Sequence, residues 1–372
     1  MAEEGGRLAK QARTADLVLF ITTVALLCIG IVMVYSASSV KAYQQYHDSM
    51  FFLKRQLLWA VVGITAMLTT MRIDYQIYRK WAWPILLGTL GLLVLVILIG
   101  ADIRGSKAWI NLGFLSVQPT EIAKLALVLF IPAYFTRRQD QVGSFWHGLL
   151  PPLAILGIVL ALIMLQPDFG SVLAIAATTF IIFIAAGSRT WQLTLLALAS
   201  VPVFVALAIA EPYRLRRLLA FLDPWKDPLD TGYQTIQSLM ALGSGGLFGL
   251  GLGQSRQKFN YLPENHTDFI FAILGEELGL IGTLGILLLI FLFAWRGFKI
   301  AITAPDYFGS LVAVGVTSMI IFQALMNIGI ISGVLPITGV TLPLVSYGGS
   351  SLAITLAGIG ILLNISKYSS PK

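Results

Sequence analysis

The chain has 372 residues, 57% of them hydrophobic and 12% charged, with a mean hydropathy of +0.83; soluble domains carry about 25% charged residues, so a soluble globular fold is excluded. Its 25 Lys and Arg against 18 Asp and Glu give a net charge of +7, but the basic residues are spread over loop ends as topology signals and call for no nucleic acid partner. One cysteine, Cys28, and three histidines exclude an intrachain disulfide and a Cys/His zinc cluster.

Stretches near the roughly 20 apolar residues that span about 30 Å of hydrocarbon fall at 16–36, 56–72, 82–100, 119–135, 149–165, 169–187, 190–210, 268–295, 309–331 and 345–366. They predict an all-α polytopic membrane protein: one domain, 1–372, with ten transmembrane helices. The first stretch follows a basic start (Arg7, Lys10, Arg13) and ends in Ser36-Ala37-Ser38, which imitates a signal-peptidase site. Its core exceeds the roughly 7 to 15 residues of a signal h-region, so a retained helix is expected after a cytoplasmic tail, 1–15.

Placing the N-terminus inside puts 13 Lys and Arg in cytoplasmic segments and 5 in short outer loops (Lys41, Lys54, Arg55, Arg104, Lys107). The positive-inside rule therefore predicts both termini in the cytoplasm, with 101–118 and 211–267 as extracytoplasmic loops. The larger loop opens with Glu211-Pro-Tyr-Arg-Leu-Arg-Arg217, a candidate basic interfacial helix. A turn-rich knot at 223–228 follows, then an amphipathic helix from Tyr233. The run Gly243-Ser-Gly-Gly-Leu-Phe-Gly-Leu-Gly-Leu-Gly253 lacks the G-x-G-x-x-G spacing and a preceding strand, so no nucleotide site is expected. A flexible or re-entrant loop packed on other helices is.

Ionisable groups crowd where this loop enters the eighth helix. Asp268 is placed in its first turn, with Thr267 or Asn265 able to cap it, and the helix dipole accounts for about 0.3 to 1 kcal/mol of carboxylate stabilisation there. Glu264 and His266 are its neighbours, Arg256 and Lys258 lie upstream, and Glu276 and Glu277 follow inside the helix. Intramembrane carboxylates face an interior or a cavity; the Glu pair reads either as a polar seam between helices or as part of a site.

A second cluster runs from Arg104 through Lys107 and Trp109 to Gln118-Pro-Thr-Glu-Ile-Ala-Lys124. Pro119 suits the first turn of the fourth helix, which puts Glu121 and Lys124 on one face at i and i+3. Lys124 then sits roughly 7 to 8 Å inside the helix start, as half of a structural ion pair or as a cation for a phosphate. Trp109 is an interfacial belt residue or a cavity wall. Gln166-Pro-Asp168-Phe-Gly170 makes a tight outer turn, and Ser346-Tyr-Gly-Gly-Ser350-Ser351 opens the last helix. Singly each is a cap or turn. Together the four clusters stand at the outer ends of helices 4, 5/6, 8 and 10, which predicts a cavity open to the outside.

In this order, the clusters resemble the SEDS (shape, elongation, division and sporulation) family of polytopic peptidoglycan glycosyltransferases. The resemblance covers nearly the whole chain and is most specific at Arg104-Gly-Ser-Lys-Ala-Trp-Ile-Asn-Leu-Gly, Gln118-Pro-Thr-Glu-Ile-Ala-Lys, Gln166-Pro-Asp-Phe-Gly, Tyr261-Leu-Pro-Glu-Asn-His-Thr-Asp-Phe-Ile-Phe-Ala, Gly275-Glu-Glu-Leu-Gly and Ser346-Tyr-Gly-Gly-Ser-Ser. Gly251-Leu-Gly-Gln-Ser-Arg-Gln-Lys and Val340-Thr-Leu-Pro-Leu are more similar to the division and sporulation branch (FtsW-like) than to the rod-elongation branch (RodA-like). Ala108 departs from the pattern, since members often carry a basic residue before the tryptophan; Lys107 stands beside it.

The resemblance implies an enzyme of the bacterial cytoplasmic membrane that polymerises lipid II, a disaccharide-pentapeptide on undecaprenyl diphosphate, on the outer face. Its partner would be a class B penicillin-binding protein supplying transpeptidation. Asp268 is then the essential carboxylate. Arg104, Trp109, Glu121, Lys124, Gln166, Asp168, His266, Ser346 and Ser350 are the expected substrate-binding residues. A diphosphate leaves as a stabilised anion, so the transfer needs one base and cations, without the acid of glycoside hydrolysis. Asp268 suits either base catalysis or coordination of Mg or Mn through oxygen; no nucleotide is called for. The alternatives are a flippase for lipid II, to which intramembrane charges and broken helices are also suited, and a non-enzymatic scaffold for the penicillin-binding protein.

Overall fold

The computed structural model describes residues 14–103, 106–111, 113, 116–209 and 212–369, with no side-chain description for 101–107 or for several positions in 204–214. Twelve α-helices are described: α1 (Leu17–Tyr46), α2 (Phe51–Arg72), α3 (Tyr75–Ile99), α4 (Pro119–Arg137), α5 (Leu150–Met164), α6 (Phe169–Ala185), α7 (Thr190–Ile209), α8 (Pro212–Leu222), α9 (Tyr233–Ser244), α10 (Ile270–Thr303), α11 (Tyr307–Ile331) and α12 (Gly349–Ser366). Eight of the apolar helices, counting a π turn at Phe145–Leu149 with α5, are long enough to cross a membrane, and α6 and α7 are shorter apolar helices.

Composition decides which helices lie centrally. In α4, 83% of the apolar window is buried, against 28% in α3. A helix that is apolar all round belongs inside, and the two charges at the start of α4 face each other. With α11 and α12 it forms the centre of the bundle, while α2, α3 and α10 present broad outward faces of Leu, Val and Ile.

Aspartates cap three helices at one end: Asp16 accepts from Leu19 N at 2.9 Å, Asp74 from Gln76 N at 2.9 Å and Asp306 from Gly309 N at 2.6 Å. Such caps satisfy amides that a helix start leaves without partners. Asp16 also receives Arg296 Nε at 2.9 Å, and its own amide donates to Ser366 Oγ at 3.0 Å. The start of α1 and the end of α12 therefore meet at the same end of the bundle. Residues 1–13 of the expected cytoplasmic tail lie outside the described residues.

The all-helical expectation needs one amendment. Segment 101–117 holds three short antiparallel strands in the order β1 (Ala101–Ile103), β2 (Ser106–Asn111) and β3 (Ser116–Val117), with Ala101 opposite Trp109 and Ile110 opposite Val117. Strands of two to six residues give too few alternations for a period of two to show in sequence.

In the larger loop, the basic helix and the amphipathic helix form as α8 and α9, with a 3-10 turn at Pro224–Lys226 between them. The glycine run packs on a break in α10. Gly279 has φ 65 and ψ −162, and the helix bonds lost there are replaced from the loop. Leu250 N and Gly251 N donate to the carbonyls of Glu276 (2.9 Å) and Glu277 (3.0 Å), while Leu280 N and Ile281 N donate to those of Gly246 (2.9 Å) and Leu247 (3.2 Å). The run is therefore packed on the broken helix through its backbone, while most of its residues stay exposed.

Candidate active site at the bundle end

The starts of α2, α4, α6, α10 and α12 and the end of α1 converge on a cavity of about 560 Å³, within the range of small-molecule sites. The four sequence clusters do meet there. Trp109, Glu121, Lys124, Asp168, His266 and Asp268 all line it. Arg104 lies outside the described residues.

Glu121 and Lys124 form the expected pair, with Nζ to Oε1 at 2.7 Å and both side chains buried. Lys124 also donates to Gln323 Oε1 at 3.1 Å, and Gln323 donates in turn to the Thr341 carbonyl at 3.2 Å. The pair thus ties α4 to α11 and to the 338–341 loop.

Asp168 caps α6, accepting from Ser171 N at 3.0 Å and from Gln118 Nε2 at 3.1 Å. Burial pushes its carboxyl above the ordinary range, against the opposing pull of the Ser171 bonds and Lys124, with Glu121 adding to the rise. A folded value above the unfolded one means that ionisation costs folding stability progressively as pH rises past the ordinary carboxylate value. Asn caps a helix as well as Asp does. Asp168→Asn is therefore expected to keep the fold and to gain thermal stability relative to the parent as pH rises from about 4. Melts in detergent between acid and neutral pH check this, and a difference that shrinks with rising pH would contradict it.

Asp268 differs from the sequence expectation in position. Helix α10 begins at Ile270, with Phe269 at the cap and no side-chain cap bond, so Asp268 stands just before the helix and outside its first turn. Neither proposed cap acts as one: Thr267 Oγ1 bonds Glu264 Oε2 at 2.9 Å, and Asn265 Nδ2 reaches the Lys258 carbonyl at 3.4 Å. The turn Glu264–Phe269 closes on itself instead, with the amides of Thr267 and Phe269 both donating to the Glu264 carbonyl at 3.2 Å.

The backbone around Asp268 is clamped from two other elements. Asn327 of α11 donates to the Asp268 carbonyl and the Val340 carbonyl, both at 2.7 Å. Ser346 Oγ donates to the Thr267 carbonyl at 2.6 Å, and Tyr347 N to the His266 carbonyl at 2.9 Å. Gly339, at φ +74, brings its backbone so close that a β-carbon there would stand 3.7 Å from Asp268 Oδ2. The main chain on both sides of this half-buried carboxylate is thus fixed by neighbouring elements, the supporting layer a precise site requires.

Three expected site residues lie behind the wall. Ser346 bonds backbone on both sides, accepting from Leu342 N at 2.9 Å; Ser350 Oγ accepts from Gln118 N at 3.1 Å; and Gln166 is fully buried, donating to the Leu162 carbonyl at 3.3 Å. The Glu pair takes the seam reading. Glu276 accepts from Ser255 Oγ and from Arg256 N at 3.1 Å, and Glu277 from Ser36 Oγ at 2.7 Å, with Lys258 Nζ at 3.6 Å. They hold the loop that leads to Asp268 and do not line the cavity.

Sequence reasoning missed the wall supplied by α1 and α2: Lys41, Tyr46, Phe52, Arg55 and Trp59. Phe52 packs on the His266 ring at 4.5 Å and on Tyr347 at 5.2 Å, and the Arg55 guanidinium lies 4.5 Å over Phe51. The available signal was Lys41 and Arg55 at the turn of the first helical hairpin, an end expected to lie outside, where the positive-inside rule disfavours cations. Asn327, inside an apolar helix, carried a similar signal.

Among known proteins, the FtsW, RodA and SpoVE family described as "Cell cycle protein" matches residues 17–371. Stage V sporulation protein E of Bacillus subtilis (strain 168) is 49% identical over 356 residues, covering 95% of this chain and 97% of that protein. A probable peptidoglycan glycosyltransferase FtsW of Geobacter sp. (strain M18) is 44% identical over 353 residues, 94% and 96% of the two chains. Among solved structures, a chain of a peptidoglycan synthase complex, described as coordinating polymerization and crosslinking, superposes with a TM-score of 0.78 at 32% identity, covering 95% of this chain and 97% of that one. The rod shape determining protein RodA of Thermus thermophilus gives 0.71 at 28% identity, with coverages of 96% and 98%.

Proposed function

The chain belongs to the FtsW, RodA and SpoVE family of cell cycle proteins, and from that membership and its cavity we propose that it is a peptidoglycan glycosyltransferase polymerising lipid II in division or sporulation. It is a multi-pass protein of the bacterial cytoplasmic membrane, with ten spanning helices and both termini inside. The cavity then opens at the extracytoplasmic end, as the distribution of Lys and Arg supports.

The observation that carries the reading is Asp268, a carboxylate at the wall of the cavity with its main chain fixed by Asn327 and the 342–347 turn. In the transfer, the 4-hydroxyl of one sugar attacks the anomeric carbon of another. The bond from that carbon to the phosphate oxygen breaks, its electron pair leaves with the diphosphate, and the hydroxyl proton passes to the Asp268 carboxylate acting as base. Arg104, Trp109, Glu121, Lys124, Asp168 and His266 are assigned to contact substrate, and Gln166, Ser346 and Ser350 to support the wall. For Mg or Mn, the described residues gather no group of three His, Cys, Asp or Glu side chains suited to an ion. A Mg or Mn ion would instead be held by one or two cavity carboxylates, Asp268 among them, together with substrate phosphate oxygens, and no step is routed through one.

The structural match to a chain from a complex that polymerises and crosslinks supports a class B penicillin-binding protein as partner. Purified chain and partner, reconstituted in liposomes with lipid II, are expected to produce glycan strands resolved by gel electrophoresis. Translocation of lipid II by the chain without any polymer would overturn the assignment in favour of a flippase; neither activity would leave a scaffold.

A further inference from the structure

We propose that the diphosphate of the lipid-linked substrate is held on the α1–α2 wall of the cavity by Arg55 and Lys41, and that Lys124 is not its principal counter-charge. This rests on the transferase reading above.

Among the described residues, four carboxylates (Glu121, Asp168, Glu264, Asp268) and three cations (Lys41, Arg55, Lys124) line the cavity. Taken as a whole, such a cavity repels a diphosphate. The cations are not equally committed, however. On the α4 side one cation faces two carboxylates: Lys124 lies 2.7 Å from Glu121, with its remaining reach given to Gln323, and Asp168 lines the same wall. Its positive charge is already compensated within the protein.

On the α1–α2 side the cations are held less closely. Lys41 meets Glu264 at a loose 3.8 Å, with the two side chains 18% and 21% exposed. Among the described residues Arg55 makes no ion pair; its guanidinium rests on the Phe51 ring and acts on the hydroxyl of Tyr347. With Asp268 of the 264–269 turn counted, cations and carboxylates balance here, but Arg55 is committed to no ion pair among the described residues and Lys41 only to a loose one, whereas Lys124 is held closely by Glu121. The aromatic rings of Phe52, Trp59 and Tyr347 line the same wall, and apolar surroundings strengthen the attraction by lowering the local dielectric. A planar guanidinium also matches two phosphate oxygens at once.

Depth is consistent with this assignment. Arg55 lies four residues into α2 and Lys41 five residues from the end of α1, roughly 6 to 8 Å from the helix ends at about 1.5 Å per residue. Both lie just outside the expected apolar stretches 16–36 and 56–72, where a lipid headgroup would sit. A diphosphate there leaves its polyprenyl chain free to run down the outer faces of these helices, where Leu57, Leu58 and Val61 are exposed.

The test is binding of farnesyl diphosphate and farnesyl monophosphate to the full chain with its partner in detergent, measured by titration calorimetry. The parent is expected to prefer the diphosphate. Arg55→Gln and Lys41→Gln should each weaken diphosphate binding about tenfold, and Arg55→Lys should retain most of it. Lys54→Gln, which removes an exposed cation of the same helix paired to Asp48 and outside the cavity lining, should change the Kd by less than about threefold. The proposal is overturned if Arg55→Gln and Lys41→Gln keep the parent Kd, if Lys54→Gln weakens binding as much as they do, or if the parent does not prefer the diphosphate. The expected binding pattern in a protein that makes no glycan would uphold the diphosphate site and sink the transferase reading.

Discussion

Asp268→Asn is expected to lower lipid II polymerisation by about 10²- to 10⁴-fold, the range attributable to a positioned general base, while expression, melting temperature and partner binding stay close to the parent. The separation follows from how the residue is held. Asn327 and the 342–347 turn bond main-chain atoms of residues 266–268, and these bonds survive when one carboxylate oxygen becomes an amide. An amide of the same shape occupies the same place but accepts no proton. Polymerisation at the parent rate in the reconstituted complex would sink the catalytic assignment. Loss of activity together with loss of a monodisperse, folded protein would recast Asp268 as a folding residue.

The second large effect concerns Gly279. At φ 65 and ψ −162 it occupies backbone space open essentially to glycine alone, and a β-carbon there would stand 2.3 Å from Gly249 N and 2.7 Å from the Leu247 carbonyl. Strain of about 1 to 3 kcal/mol adds to overpacking of about 1 to 3 kcal/mol. Gly279→Ala should thus lower the melting temperature sharply and reduce activity as well, because the displaced loop runs on to Asp268. Gly285, in the same helix, provides the control: a β-carbon there meets nothing within 4 Å. Gly285→Ala should be neutral or should gain up to about 1 kcal/mol of helix propensity. Equal melting temperatures for the two variants, measured in one detergent, would refute the account of the break.

The apolar helices were legible because burial in lipid demands long apolar runs, and ten apolar helices match the ten expected segments to within a few residues at most ends. The larger shifts, at the end of α1, the starts of α2 and α3 and the end of α10, run past the expected apolar stretches into more polar sequence. The site was legible where polar groups interrupted those runs: Glu121, Lys124 and Asp268 are conspicuous in an apolar chain. The Glu276 and Glu277 pair was equally conspicuous, yet it serves the glycine-rich loop. Sequence could not separate the two cases, since a buried carboxylate looks the same whether it faces a cavity or a row of backbone amides.

By itself, then, the sequence determined the solvent of this protein, the number and order of its apolar segments, and the four clusters from which a site could be built. Those properties depend on local composition and on the width of a bilayer. Only the tertiary structure decided that Asp268 precedes its helix, that Asn327 and Ser346 hold its backbone, and that α1 and α2 close the cavity with Arg55 and Lys41. Each of these joins residues tens to hundreds of positions apart, and the hydrogen bonds and charge balance that define them do not exist until the helices pack.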